Sequence, residues 1–410
     1  MTPYLDALAI LRDAAMPLPG EQIPTHQALN RVLAEDFIAP FALPRFDNSN
    51  MDGFAVRAAD TTAASAAQPL KLPVLRAQAA GDPAGQGVSH HAIQVMTGGA
   101  IPEGMDSVVP IECVTPLMDT SGNVTQITLT QPVPHHDSVR FAGDDFPAGK
   151  TLIHRGTRLR SSHIAVLYAT GTHQVRVAAQ PGIRIFTTGK EVSDNYTAPL
   201  EASQIYDSNT PYLISAFESV GLSASYAGHV GDDEEKFRTL LASQNDARIL
   251  VSSGAVSKGK WDFIPGVLQE FGAEILFHRV SIKPGKPVLF ARLPDNRYFF
   301  GLPGNPISTA IGLRFFMVPL LRQLLGMAPE SPSIAKLTRE YVKTGPLRLF
   351  LKSHIHADST GQQILDVLNG QESFKIAPFL ETNVWAIFEE APGTHKAGDP
   401  VAYYPTELLT

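Results

Sequence analysis

Apolar positions between residues 180 and 328 come in two alternating rhythms. The short runs "GIRIFTT", "SASYAGHV", "ARILVSS" and "RYFFGLP" are apolar and end in turn residues, which predicts buried strands. The longer segments "NTPYLISAFESVG", "DDEEKFRTLLAS", "DFIPGVLQEFG" and "NPISTAIGLRFFMVPLLRQLLG" read as helices. Asp232 with Glu235 resembles a capping box, and Asn305 before Pro306 resembles an N-cap with proline at the first helical position. Strand-helix alternation predicts a doubly wound α/β domain over residues 178–328. The stretch "EILFHRVSIKPGKPVLFARL" breaks the rhythm and predicts a hairpin or extended pair around "KPGK".

The rest of the chain is patterned differently. Residues 44–140 are rich in Pro and Gly, with short strands such as "FAVRA", "AIQVMTG", "DSVVPIE" and "NVTQITLT", which predicts a β-rich insert domain. Residues 21–43 and 141–177 flank that insert as one small linking domain, split in sequence by it. Residues 329–410 again read as strands with turns, a C-terminal β domain. Residues 1–20 predict a short amphipathic helix packing on the α/β domain.

A chain of 410 residues is too long for one ordinary core, and roughly two to four domains is the expectation. The net charge of −7 supplies no basic field, so neither nucleic acid nor an anionic membrane is an expected partner. A single cysteine, Cys113, excludes an intramolecular disulfide, suits a reducing compartment and reads as a buried small apolar residue. The N-terminus lacks a basic leader region. The apolar "IGLRFFMVPLLRQLLG" carries Arg314 and Arg322, so it reads as a core helix instead of a membrane span. A cytoplasmic protein is expected.

Candidate chemistry collects in the turns that follow the predicted strands. Thr188, Gly189 and Glu191 follow the first; Asp207, Ser208 and Asp232 stand before helices; Ser253 and Gly254 open "SSGAVSKGKWDF"; Pro303, Gly304, Pro306 and Ser308 lie in "GLPGNPIST". Loops at the carboxyl ends of parallel strands gather on one edge, so these residues should line one cleft. Small residues there let backbone N–H groups approach an anion, and Lys258, Lys260, Arg279, Lys283 and Lys286 add positive charge. The turn in "KPGK" either holds two lysines beside an anion or is a solvated surface turn. Asp232 and Asp262 are either helix caps or metal ligands. His354 and His356 share one face of a strand, but two histidines do not make a metal site. No Ser-His-Asp arrangement, Walker loop or dinucleotide fingerprint is present.

Taken together and in order, "FDNSNMDGFAV", "VMTGGAIPEGMDSVVPIE", "SSGAVSKGKWD", "IKPGKP" and "GLPGNPIS" resemble the molybdopterin molybdenumtransferase family, the bacterial molybdenum insertases related to the gephyrin E domain. The resemblance spans nearly the whole chain. It implies an elongated four-part subunit whose α/β domain is like the molybdopterin adenylyltransferase core. It also implies a homodimer whose clefts combine the α/β domain of one subunit with the β-insert side of the other. The implied reaction takes molybdopterin adenylate and molybdate, with Mg²⁺, to molybdenum cofactor and AMP; other proteins of cofactor biosynthesis and apo molybdoenzymes are implied partners. By resemblance, Asp52, Asp145, Glu191, Asp232 and Asp262 are the functional acids, with Asp262 and Glu191 the candidate Mg²⁺ ligands. Thr97 matches the threonine of "MTG"; Lys283, Lys286 and Ser308 match groups holding the oxyanion, and Pro303 and Pro306 shape the neighbouring turn. Thr188, Gly189, Ser253, Gly254 and Gly304 complete the expected substrate-binding set.

The chain departs from the family pattern at several points. Ala255 stands where a second glycine is usual, Lys260 where an acid is usual, and Lys190 where aspartate or asparagine is common. Lys352 takes the place of a C-terminal arginine, with Ser373 the nearest match in "GQESFKIAPF". The alternatives are a molybdopterin adenylyltransferase, which resembles the α/β core alone, and a non-catalytic cofactor-binding or scaffold relative.

Overall fold

Ile249, Leu250, Val251, Ser252 and Ser253 are all buried, so the strand they form has protein on both faces. That is the condition of a central parallel strand. Its side chains alternate between faces. Ile249 and Val251 join an apolar cluster with Ile183, Ile185 and Phe300, whereas Leu250 joins a separate one with Phe186, Phe299 and Phe237. Each large apolar side chain buried in this way contributes roughly 1.5–3 kcal/mol, and the pattern repeats along the neighbouring strands.

The computed structural model describes residues 1–255 and 263–409. Contacts divide the chain into two compact units, residues 1–35 with 155–410, and residues 36–154. In the first, α1 (Tyr4–Ala14) is followed by β1 (Ile183–Thr188), α2 (Asn209–Glu218), β2 (Ala224–Gly231), α3 (Glu234–Ser243), β3 (Ile249–Ser253) and α4 (Ile264–Glu270). Then come β4 (Glu274–His278), β5 (Ile282–Lys283), β6 (Leu289–Arg292), β7 (Tyr298–Leu302) and α5 (Pro306–Gly312). The sheet order is β2-β1-β3-β7-β6-β4. β2, β1, β3 and β7 pair in parallel, while β6 runs antiparallel to both its neighbours.

The helices cover the sheet on two sides because their apolar residues recur on one face. On α1, Tyr4, Ala7, Leu11 and Ala14 are buried at helical spacing, and they share a cluster with Leu213 and Phe217 of α2. Phe237 and Leu241 of α3 join Ile264 and Leu268 of α4 in the other cluster. The helical run that begins with α5 continues to Leu324; it is long and apolar enough to cross a membrane, yet 83% of its most apolar window is buried inside the fold.

A second sheet in this unit is made from β8 (Ser333–Leu337), β9 (Arg348–Ala357), β10 (Gln363–Val367), β11 (Val384–Phe388) and β12 (Pro400–Pro405). The order β5-β9-β10-β8-β12-β11 closes through an additional β9–β11 pairing, so these five strands form a barrel around Leu351, Leu365, Ala386 and Phe388. Closure leaves no edge among them. β5 attaches to its outside, with Ile282 opposite Arg348.

Residues 36–154 form a six-stranded sheet in the order 107–110, 53–56, 92–95, 70–78, 124–129, 115–118. Gly53 begins its most buried strand, where a Cβ would lie 2.2 Å from the Val109 carbonyl oxygen, so only glycine fits.

Two local expectations are corrected, and the pair expected around "KPGK" is present with an added feature between its strands. The cap of α3 is Asp233, whose Oδ1 accepts the N–H groups of Glu235 and Lys236 at 3.0 Å each. The helix starts one residue later than the capping-box reading placed it, which leaves Asp232 outside. The "KPGK" segment is not a simple hairpin tip. β4 and β6 do pair antiparallel, but Val280 and Ile282 between them are fully buried and β5 leaves to join β9. Cys113 is exposed, not buried, in a short helical turn after residues 107–110.

Candidate functional site

The parallel strands run 2-1-3 across β2, β1 and β3, so the chain reverses its direction of winding between β1 and β3. Connections leave these two strands toward opposite faces, and a crevice must open beyond their carboxyl ends. A cleft of about 920 Å³ lies there. Thr188, Gly189, Glu191, Asp232, Ser253, Gly254, Pro303, Gly304 and Pro306 all line it, as expected from the sequence.

The loops are drawn together by hydrogen bonds and by missing side chains. The Thr188 hydroxyl donates to the Ser253 carbonyl at 3.0 Å, tying the end of β1 to that of β3. Gly254 N–H donates to the Leu302 carbonyl at 2.8 Å, bringing in β7. Gly254 has φ +102°, and a Cβ on it would come 2.5 Å from Thr188 Oγ1, so the close approach requires glycine. Ala255 follows with φ +52°, a left-handed conformation that glycine adopts at less cost than alanine. Asn209, at the start of α2, donates from Nδ2 to Ser253 Oγ and to the Gly304 carbonyl, both at 2.7 Å. Nothing in the sequence alone marks Asn209 as a residue that ties the cleft loops together. Its signal was the Asp-Ser-Asn run before a helix, which reads locally as capping alone.

Charge in the cleft is mixed. Lys190, Glu191 and Asp232 are exposed, whereas Asp207 is buried. The Glu191 carboxylate folds back over the main chain of Gly189, with both oxygens 2.8 Å from where a Cβ on that glycine would stand. Lys258, Lys260 and Asp262 lie outside the described residues. Among the described residues no cluster of three His, Cys, Asp or Glu side chains is arranged for a metal ion.

Lys283, Lys286 and Ser308 do not line this cleft, although Pro287 does. They form an adjoining group instead. Gly285, between the lysines, packs on the first turn of α5: a Cβ there would be 3.3 Å from Ile311 and 3.6 Å from the Ser308 carbonyl. Lys283 is exposed, and neither lysine has an ion-pair partner among the described residues. Ser373 meets the same turn. Its carbonyl accepts the Ile307 N–H and its hydroxyl accepts from the Asn305 side chain, both at 3.0 Å. Lys352 is fully buried and directs its ammonium to the carbonyls of Lys375 at 2.8 Å and Glu372 at 3.3 Å. It therefore anchors the loop that carries Ser373 and does not face the cleft. Burial lowers its pKa from the ordinary lysine value.

A further constellation belongs to residues 36–154. Asp52 Oδ1 accepts the Thr97 backbone N–H at 2.7 Å and the Thr97 hydroxyl at 2.8 Å. Those two bonds, the backbone one first, hold the exposed Asp52 carboxyl below its ordinary pKa. The loops interlock beside it, Ser49 N–H donating to the Gly99 carbonyl and Gly98 N–H to the Ser49 carbonyl. Asp145 is exposed in the same unit, with its backbone N–H on the Leu43 carbonyl.

A doubly wound core with its crevice at the switch point, joined to a closed β-barrel and a separate β-rich unit, defines a multidomain α/β protein with a cleft on its strand-end loops. Residues 2–171 match the MoeA N-terminal region (domain I and II), and residues 184–323 match a probable molybdopterin binding domain. The chain is 33% identical over 399 residues to a molybdopterin molybdenumtransferase of Synechococcus elongatus, covering 96% of each. It is 31% identical to that of Haemophilus influenzae, covering 98% of this chain and 97% of the other. A solved molybdopterin biosynthesis MoeA protein from Pyrococcus horikoshii superposes with a TM-score of 0.82 at 26% identity, over 98% of this chain and 100% of that one. The chain belongs to the molybdopterin molybdenumtransferase family.

Proposed function

We infer that the protein is a molybdenum insertase of molybdenum cofactor biosynthesis, converting molybdopterin adenylate and molybdate to molybdenum cofactor and AMP. The observation that carries this reading is the switch-point cleft. Its size suits a dinucleotide-like ligand, and the glycines at 189, 254 and 304 let main-chain groups approach phosphates closely. Thr188 and Ser253 add hydroxyls at the same strand ends. Lys283 and Lys286, beside the first turn of α5 and with no ion-pair partner among the described residues, are the groups assigned to molybdate, an anion that charge-assisted donors hold well.

Mg²⁺ fits the residues present. Glu191 and Asp232 expose carboxylate oxygens to the cleft with no cation paired to them among the described residues. One or two carboxylates together with substrate phosphates are what this ion takes. Asp262, by resemblance, is the further ligand. When bound, Mg²⁺ would neutralise charge on the phosphate groups. We also propose a cytoplasmic homodimer in which Asp52, Thr97 and Asp145 serve the cleft of the partner subunit, with apo molybdoenzymes receiving the product.

The test is incubation of the purified protein with molybdopterin adenylate, molybdate and Mg²⁺, following AMP release and activation of an apo molybdoenzyme. Consumption of ATP with molybdopterin in the absence of molybdate would indicate adenylyltransferase chemistry. Binding without AMP release would indicate a carrier.

A further inference from the structure

We propose that Asp207 is the residue that recognises the pterin of the substrate, by accepting from the hydrogen-bond donors on the edge of that ring. This assignment rests on the molybdopterin adenylate reading above. Asp207 is only 4% exposed and borders the cleft. Its two oxygens differ in situation. Oδ1 accepts the N–H groups of Asn209 at 2.9 Å and Thr210 at 3.1 Å, the first turn of α2. Oδ2 is buried and has no hydrogen-bond partner among the described residues. The backbone gives the residue little freedom: its N–H donates to the Ser193 carbonyl and its carbonyl accepts the Tyr196 hydroxyl, each at 2.9 Å. A buried carboxylate oxygen held in this way demands a donor.

The substrate supplies one class of group that answers. Phosphates and thiolates are anionic and would be repelled. Adenine alternates a donor with an acceptor along its amino edge, so a carboxylate there meets a lone pair as well as an N–H. A pterin presents its 2-amino group and ring N3–H side by side, donors only. The flanks suit a flat ring too. Ile205 and Tyr206 adjoin Asp207, and Phe374 and Ile376 reach the same cleft from the barrel; these four are 58%, 42%, 63% and 53% exposed. Exposed apolar side chains around a polar pocket give an aromatic ring surfaces to cover.

The decisive variant is Asp207→Asn in the full-length chain. If the amide oxygen keeps the helix cap, its NH₂ faces the donors of the pterin, so acceptor and charge are both lost. The KM for molybdopterin adenylate should rise about tenfold or more, with kcat changed less than about twofold. Inhibition by AMP should be unchanged. Phe374→Ala should raise KM in the same direction and also spare AMP inhibition. As a direct probe, 6-hydroxymethylpterin should quench on binding to the wild type and bind more weakly to Asp207→Asn. Asp207→Ser, which also caps, replaces the asparagine variant if that fails to fold. Unchanged KM and pterin binding, with only a lower melting temperature, would make Asp207 a helix cap and overturn the assignment. An equal loss of AMP inhibition would place adenine there and overturn it as well. If no AMP is released by any form but pterin binding still depends on Asp207, the insertase reading fails and the pterin assignment stands.

Discussion

Asn209 Nδ2 lies 2.7 Å from Ser253 Oγ, joining the start of α2 to the carboxyl end of β3 across 44 positions of sequence. The same nitrogen reaches the Gly304 carbonyl, so one amide fixes the spacing of three cleft loops. Removing it leaves a buried hydroxyl and a carbonyl short of a donor. Asn209→Ala should cost about 1–3 kcal/mol of stability, read by chemical denaturation. It should also raise the KM for the adenylate substrate.

Two adjacent positions should respond in opposite ways to the same pair of residues. Gly254→Ala forces a Cβ to within 2.5 Å of Thr188 Oγ1 at φ +102°, and should lose substrate binding with a stability cost of more than about 1–2 kcal/mol. Ala255→Gly relieves a left-handed alanine at φ +52°, offset by the greater freedom of glycine when unfolded. Its melting temperature should be unchanged or slightly higher.

The bonds from Thr97 stabilise the ionised form of Asp52, so its folded pKa lies below the unfolded value of about 3.9. The sign follows from linkage: their contribution is complete above the unfolded value and is lost as pH falls through the depressed folded one. Thr97→Val removes the hydroxyl and keeps the N–H. The Asp52 titration, followed by carboxyl NMR, should move upward part of the way toward the ordinary value.

Lys352→Met should leave the Glu372 and Lys375 carbonyls without their donor, costing about 1–3 kcal/mol. The loop carrying Ser373 should then loosen, seen as faster amide exchange there. Because burial lowers the Lys352 pKa, the unfolded chain binds more protons between that lowered value and the ordinary one near 10.4. Wild-type stability should therefore gain a positive pH slope from this group in that window, and Lys352→Met should lack it.

The proposed homodimer makes a prediction about mixtures. Asp52→Ala subunits and Glu191→Ala subunits, each inactive, should regain AMP release after subunit exchange, since a heterodimer restores one intact cleft. Verified exchange without recovery would show that both residues serve the cleft of their own subunit.

Continuous apolar runs in "ARILVSS" and "RYFFGLP", buried at every strand position, helical spacing in the segments between them and turn chemistry at their ends are local properties, so the sequence by itself determined the doubly wound core and the strand-end loops that line the cleft. The motif glycines were legible for the same reason, although not what they avoid: Gly53 is required by the Val109 carbonyl and Gly254 by the Thr188 hydroxyl, partners distant in sequence. Only tertiary structure decided the rest. Capping at Asp233 instead of Asp232 depended on where α3 met the sheet, and β5 left its hairpin because β9 offered it a pairing partner. Lys352 carries the same charge wherever it stands, but burial turned it toward two carbonyls and away from the cleft. Phe374 and Ile376 reach the cleft from a loop more than a hundred residues beyond Gly254, and Asp207 keeps one oxygen without a donor among the described residues because the helix it caps occupies only the other. Periodicity encodes which face a residue presents; which distant group meets that face is set by how the elements pack.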